Sequence, residues 1–233
     1  RSTNQNQQMK SILTKGLTLV LFIASSFNVF SQELAITISG DSIYVYPNGT
    51  WAYEALEDMP SINELSYLEE ELDIDTISTE FTFSKASSKE VVNKNNQFKI
   101  KYNASDWKRI PPASINEEAE FAFSSKETDI WCLVISEEIP IDMEALFLTA
   151  KNNMEEFSGS KVEILKTELR TVNGVELIRG VMQSEYSGIP LMFDTYYYSN
   201  DNVSVQFTVY TSDNLWEKNT DLIQELLNGF VVE

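Results

Sequence analysis

The sequence contains no histidine and a single cysteine, Cys132. Without histidine there is no Ser-His-Asp set and no imidazole-ligated zinc site. One cysteine cannot close an intramolecular disulfide, so an exported form must stand on core packing, which a chain of 233 residues can supply. Glycine signatures are missing as well: there is no G-x-G-x-x-G, no P-loop and no G-x-S-x-G elbow. Basic residues are scarce, 17 against 36 acidic, for a formal net charge of −19. A surface this acidic repels phosphate backbones and anionic lipid, so nucleic acid is a poor partner. Its plain consequence is solubility; basic partners and divalent cations are the charged ligands it leaves open. Long apolar runs are absent too. The run Leu17 to Ala24 is too short to span a bilayer, and Ser25, Ser26 and Asn28 stop it from continuing.

That run fits another role. From Met9 the chain reads "MKSILTKGLTLVLFIASSFNVFSQE". Lys10 and Lys15 form a basic n-region and Leu17 to Ala24 a short apolar h-region. Val29 and Ser31 sit three and one residues before a cut at Gln32. This is the layout of a secretory signal peptide over 9–31. No cysteine lies near the cut, so lipidation is not indicated. Residues 1–8 read as an upstream extension or expression scar. Arg1, Lys10 and Lys15 leave with the signal and no acidic residue does, so 14 basic residues then face 36 acidic and the charge falls to −22. The expected location is periplasmic or extracellular, with no membrane span after signal removal.

Three parts come after the signal. Residues 33–54 read as a small β-hairpin around "IYVYPNGTWAYE". Pro47 fits the first central position of a type I turn and Gly49 the left-handed one, so Tyr46 pairs with Thr50. The aromatics then divide between two faces, which argues against one flat binding platform. Residues 55–90 read as an acidic linker. It contains a capping box, Ser61 with Glu64, opening a short helix with Ile62, Leu65, Leu68 and Leu72 at near-helical spacing. "DIDTISTE", starting at Asp73, spaces acidic oxygens but lacks the glycine of an EF-hand loop, so calcium is at most a weak cofactor candidate.

Residues 91–233 carry most of the periodic apolar pattern. Phe98, Ile100 and Tyr102 alternate with Lys99 and Lys101 as in a half-buried strand; Trp107 and Pro111-Pro112 read as loop. "AEFAFSS" and "IWCLVISEE" are two more strands, the second apolar on both faces and therefore central. Asp142 caps a helix over about 142–157 whose stripe is Met143, Leu146, Phe147, Ala150, Met154 and Phe157, stopped by Gly159. Strands 161–172 and 175–186 join at Asn173-Gly174, a strong hairpin signal. Strands 190–198 and 203–211 come next, then a helix over about 213–228 with Gly229 as its stop and Phe230 as a packing anchor. The expected fold class is α+β: an antiparallel sheet of about six strands with two packed helices, an α/β/α sandwich.

The element order of residues 97–233 resembles the α/β/α sandwich of the PsbP-like and DcrB-like families. The likeness rests on "FKIKYNASDW" at the start, a helix after two strands, two long hairpins, and "NLWEKNTDLIQELLNGF" at the end. It covers about three-fifths of the chain and no catalytic motif. Separately, "NVFSQ" and "NGTWAYE" look like secreted proteins of Bacteroidota. The resemblance implies an envelope or lumenal accessory protein that binds partners.

The search for chemistry yields little. Cys132 lies in a buried apolar strand, where a thiol is inert. Paired carboxylates such as Glu117-Glu118, Glu137-Glu138 and Glu155-Glu156 are abundant, but adjacent residues on a strand point to opposite faces, and with 36 acids some pairing is inevitable. One binding surface can be named. If the last hairpin has an odd loop, Asn200 to Asn202, then Tyr196 pairs with Gln206, keeping polar and apolar faces apart. Asp194, Tyr196, Tyr198, Gln206, Thr208 and Tyr210 then share a face that mixes rings with polar tips, as in protein or glycan recognition. Ordinary cross-strand pairing under a helix or linker explains the same pattern. The reading reached is a non-catalytic exported accessory protein that recognises another envelope or extracellular component, a protein or a glycan. The alternatives are a carboxylate-based hydrolase and a calcium-stabilised structural protein.

Overall fold

The computed structural model describes residues 33–36, 42–45, 51–52 and 72–232. The expected signal segment 9–31, the extension 1–8, the Pro47-Asn48-Gly49 turn and the acidic helix opening at Ser61 lie outside the described residues.

The described strands belong to two compact units. In the first, β1 (Glu33–Ile36), β2 (Ser42–Val45) and β3 (Trp51–Ala52) form an antiparallel sheet in that order. Val45 pairs with Trp51 and Tyr44 with Ala52.

The second unit runs β4 (Asp75–Phe81), β5 (Lys89–Val92), β6 (Phe98–Tyr102), β7 (Trp107–Ile110), β8 (Phe121–Ser125), β9 (Trp131–Glu137), α1 (Met143–Ser158), β10 (Glu163–Val172), β11 (Val175–Tyr186), β12 (Ile189–Ser199), β13 (Ser204–Ser212), α2 (Asp213–Lys218), α3 (Thr220–Leu227) and β14 (Phe230–Val232). Eight strands form one sheet in the order β4-β10-β11-β12-β13-β9-β8-β7, and β14-β6-β5 form a second. The fold is α+β as expected, with more than six strands. The additions have physical reasons. β4 falls inside the stretch expected to be linker; it pairs parallel to β10 at the sheet edge, where its acidic residues stay exposed. β7, expected as loop, is the opposite edge strand and buries Trp107 while Lys108 and Arg109 stay in solvent.

Local chemistry fixes the helices and turns. Asp142 Oδ1 accepts from the Glu144 and Ala145 N–H groups, and Gly159 closes α1 at φ 65°. Asn173 and Gly174 take φ 49° and 85°, the two positive values a type I′ turn needs, and Val172 pairs with Val175. The C-terminal helix differs from the expectation: it breaks at Asn219 into α2 and α3. The Asn219 side chain donates to Leu215 O at 2.7 Å, offering the backbone a competing partner. Gly229 is a close approach: a Cβ there would lie 1.9 Å from Lys101 O, and Lys101 N donates to Gly229 O at 2.8 Å.

Both faces of the large sheet are covered. One core joins Tyr196, Tyr198, Phe207 and Val209 to Ile100 and Phe230 of the second sheet and to Ile223, Leu226 and Leu227 of α3. The other joins Leu133, Phe193, Tyr197 and Tyr210 to Leu146, Phe147 and Met154 of α1. The result is three layers, with α1 on one side and α3 plus the small sheet on the other.

This double coverage overturns the odd loop expected between β12 and β13. Ser199 pairs with Ser204, so the loop is the four residues Asn200 to Val203. Asn200 Oδ1 accepts from the Asn202 and Val203 N–H groups at 2.8 and 3.0 Å and closes it. Tyr196 therefore meets Phe207, and Tyr197 meets Gln206. The parity argument assumed one wet face, and this hairpin has none.

Candidate functional site

The six residues singled out from the sequence do not make a surface. Asp194, Tyr196 and Tyr198 face the layer of α3 at 0%, 1% and 8% exposure. By the observed register Gln206, Thr208 and Tyr210 lie on the opposite face, under α1, where Thr208 and Tyr210 are buried. The four-residue loop splits them between the two faces of the sheet, and a core covers each face.

Three of the first group's neighbours turn that burial into a charged network. Arg179 grips Asp194 bidentately, Nε to Oδ1 at 2.8 Å and Nη2 to Oδ2 at 2.7 Å. Its Nη1 donates to Glu168 Oε2 at 3.0 Å. Arg170 donates to the same Glu168 oxygen, to Tyr196 Oη and to Gln224 Oε1. Gln224 Nε2 returns to Asp194 Oδ2 at 2.9 Å, and Tyr196 Oη donates to Asn228 Oδ1 at 2.7 Å. Burial works to raise the Glu168 carboxyl, but the Arg179 hydrogen bond and the charges of Arg170 and Arg179 outweigh it and hold it below the ordinary range. Burial lifts the Tyr196 hydroxyl to about 12, so it stays a donor. The network ties β10, β11 and β12 to α3. A cleft of about 380 Å³ opens onto it beside Phe81, Trp216 and Gln224. The guanidinium donors facing this cleft are largely taken up inside the protein, and Arg170 also stacks under the Phe81 ring at 4.4 Å; the exception nearby is Trp216 Nε1, which has no hydrogen-bond partner.

A larger cleft, about 780 Å³, lies at one end of the sandwich. Its walls are the turn after β8, the entry to β12 at Ile189 and Pro190, and the start of α2. Ser124 and Trp131 are a cross-strand pair on β8 and β9 and both line it. The Ser124 side chain is 4% exposed, and neither its Oγ nor the Trp131 Nε1 has a hydrogen-bond partner. The turn that frames them is held in place. Lys126 N donates to Asp106 O at 2.8 Å, Ser125 N to Ile130 O at 2.9 Å, and Thr211 Oγ1 to Asp129 O at 2.7 Å. Ser212 Oγ donates to Asn214 Oδ1 at 2.7 Å across the far wall. Both the Ser124 and Trp131 atoms are enclosed in the cleft wall, out of reach of solvent, with their hydrogen-bonding capacity unused. Sequence reasoning missed this pair because Ser124 and Trp131 read as strand filler. Their signal was two hydroxyl residues, Ser124-Ser125, at the end of an otherwise apolar buried strand.

Other groups fit the sequence reading less directly. Cys132 is fully buried, and burial pushes its thiol well up, as a core residue requires. The "DIDTISTE" stretch is largely edge strand β4, and among the described residues no cluster of three or more His, Cys, Asp or Glu is placed to hold a metal ion. Burial and the charge of Glu118 raise the Glu137 carboxyl, but Glu137 lines neither cleft. No helix among the described residues is long and apolar enough to cross a membrane.

No family model matches the sequence, and no curated protein matches it. Several solved structures do match. The chain is similar to cyanobacterial PsbP (CyanoP) of Synechocystis sp. PCC 6803, with 15% identity and a TM-score of 0.48 over 64% of this chain and 95% of that one. It is similar to the Ran-binding protein Mog1p of Saccharomyces cerevisiae, with 11% identity and a TM-score of 0.44 over 62% and 94%. It is also similar to LpqN of Mycobacterium tuberculosis, a protein involved in cell envelope biogenesis, with 11% identity and a TM-score of 0.43 over 62% and 89%. Likenesses of this strength bring no partner or activity to this chain.

Proposed function

We propose that the protein is a non-catalytic, exported binding protein and that the end cleft is where it recognises another envelope or extracellular component. The signal-like segment 9–31 supports export. The observation that carries the binding role is the polar cleft in whose wall Ser124 Oγ and Trp131 Nε1 are enclosed without partners inside the protein. Buried polar groups are ordinarily paired, so two unpaired ones in one cleft ask for a partner from outside. The non-catalytic reading is supported by the absence of histidine, by the burial of Cys132, and by the position of the raised Glu137 carboxyl outside the cleft.

The test is site-specific photo-crosslinking of the full chain in an envelope extract of the source organism. Glu127, exposed on the cleft wall, carries the probe; Leu165, 45% exposed beside the lateral cleft, is the control. A product formed from position 127, weak from 165, and lost with Trp131→Ala is the expected result. No product from 127, or equal products from both positions, overturns the assignment of the cleft. Hydrolysis of glycoside or peptide reporters that disappears in Glu137→Gln overturns the non-catalytic reading.

A further inference from the structure

The end cleft also carries information about its ligand. Its charges nearly cancel: Lys108 and Lys126 stand against Glu127, Asp129 and Asp213. With residues of both signs in its lining, the cleft presents neither an anion nor a polycation with a wall of opposite charge. The chemistry best matched to mixed signs is a neutral ligand that both donates and accepts. Ser124 Oγ can do either, whereas the Trp131 indole N–H can only donate. A sugar hydroxyl serves both at once, accepting from the indole while exchanging a hydrogen bond with the serine. Trp131 is partly exposed, and Pro190 and Leu215 add apolar surface in the same cleft. An indole supplies an apolar body with a polar tip, which suits the C–H face and hydroxyl rim of a pyranose. The volume, about 780 Å³, falls within the size class of small-ligand sites, roughly 300–1,000 Å³.

We propose that the end cleft binds a neutral, hydroxyl-rich glycan, with Ser124 Oγ and Trp131 Nε1 making the hydrogen bonds that the protein leaves unmade. This rests on the cleft being the recognition site. Ser124 and Trp131 fix the sugar's orientation once their enclosed polar atoms turn toward the cleft, and the hydrogen-bonded turn keeps the surrounding backbone in place, which limits the ordering cost of binding.

The experiment is NMR titration of the full chain, following the indole N–H signals of its 4 tryptophans. Trp131→Phe, which keeps an aromatic ring and deletes the N–H, assigns the Trp131 signal. Cellotriose, maltotriose and chitotriose are added separately to millimolar concentration, with inorganic phosphate and a lysine-rich peptide as comparison probes. A saturable shift of the Trp131 signal by at least one trisaccharide is expected, with affinity reduced about five- to tenfold in Ser124→Ala. Ser124→Ala should show an unchanged or higher melting temperature, which separates lost binding from lost folding. No shift with any trisaccharide overturns the proposal, and so does a shift produced by phosphate or peptide instead. A crosslink from Glu127 without a sugar response sinks the glycan alone and leaves the cleft as a recognition site for another partner.

Discussion

The polar groups beneath α3 and those of the end cleft are similarly enclosed, yet they differ in the contacts they make. Beneath α3, Asp194 at 0% exposure and Arg179 at 4% exchange two hydrogen bonds, and Glu168, Arg170, Gln224 and Tyr196 complete the set. In the end cleft Ser124, at 4%, has no partner. A satisfied buried network holds elements in register; an unsatisfied one in an open cleft leaves bonding capacity for a ligand. The contrast sets the scaffold apart from the cleft proposed as the site, in a sequence that has no catalytic motif to do so.

The largest test of this contrast is Asp194→Ala. It leaves Arg179 buried with Glu168 as its remaining charged partner and strips Gln224 Nε2 of its acceptor. Breaking a buried pair from one side costs about 3–5 kcal/mol. Urea denaturation should show that loss, while the Trp131 indole signal of the folded protein should stay where it was. A loss under about 1 kcal/mol would mean the network adds little to folding.

Gly229→Ala comes next. Its Cβ cannot stand 1.9 Å from Lys101 O, so β14 must part from β6 or shift along it. Asn228, the acceptor for Tyr196 Oη, is the preceding residue, so the strain reaches the charged network. Overpacking of this kind costs about 1–3 kcal/mol. Denaturation should register it, and amide exchange should quicken in β14 and α3 before it does near the end cleft. Uniform quickening would contradict the separation of the two regions.

A smaller effect depends on pH. Glu168 is held below its ordinary carboxyl value of 4.5 in the folded chain. Its contribution is therefore complete above that value and is lost as pH falls through the lower folded one. Glu168→Gln cannot titrate. Its deficit against the wild type should be largest near neutrality and narrow below about pH 4.5, in denaturation series across the acid range. A deficit that stays constant with pH would place the carboxylate's charge outside the network's energetics.

The parts of this fold that the sequence made legible are those set by neighbours in the chain. Asp142 and Gly159 bound α1, and Asn173-Gly174 turns β10 into β11, because a cap or a type I′ turn is decided within a few residues. Features that depend on remote coverage were not legible. The β12–β13 register could be deduced only if one face were wet, and α3 with the small sheet covers the face that was assigned to solvent. Arg170, Arg179 and Glu168 carry no local sign of a buried network, because the partners that complete it lie on other strands and on α3. Ser124 and Trp131 were invisible as a site for a related reason: a hydroxyl's lack of a partner is a property of three-dimensional surroundings. Asn219 did carry a local signal, since its side chain competes for the helix backbone, and apolar periodicity across 213–228 outweighed it.

The finest test sets two hydroxyls of one region side by side. Thr211 is fully buried and its Oγ1 donates to Asp129 O at 2.7 Å. Ser124 Oγ is buried with nothing to bond. Thr211→Val keeps the shape and deletes the bond, so it should cost about 1 kcal/mol. Ser124→Ala deletes a group whose desolvation is already uncompensated, so the lost packing of one oxygen is offset by removal of that penalty. Its denaturation midpoint should match or exceed the wild type's, the smallest shift of the series. If Ser124→Ala instead costs as much as Thr211→Val, the Ser124 hydroxyl has a partner within the folded protein, and the distinction between a satisfied scaffold and an unsatisfied cleft fails where it matters most.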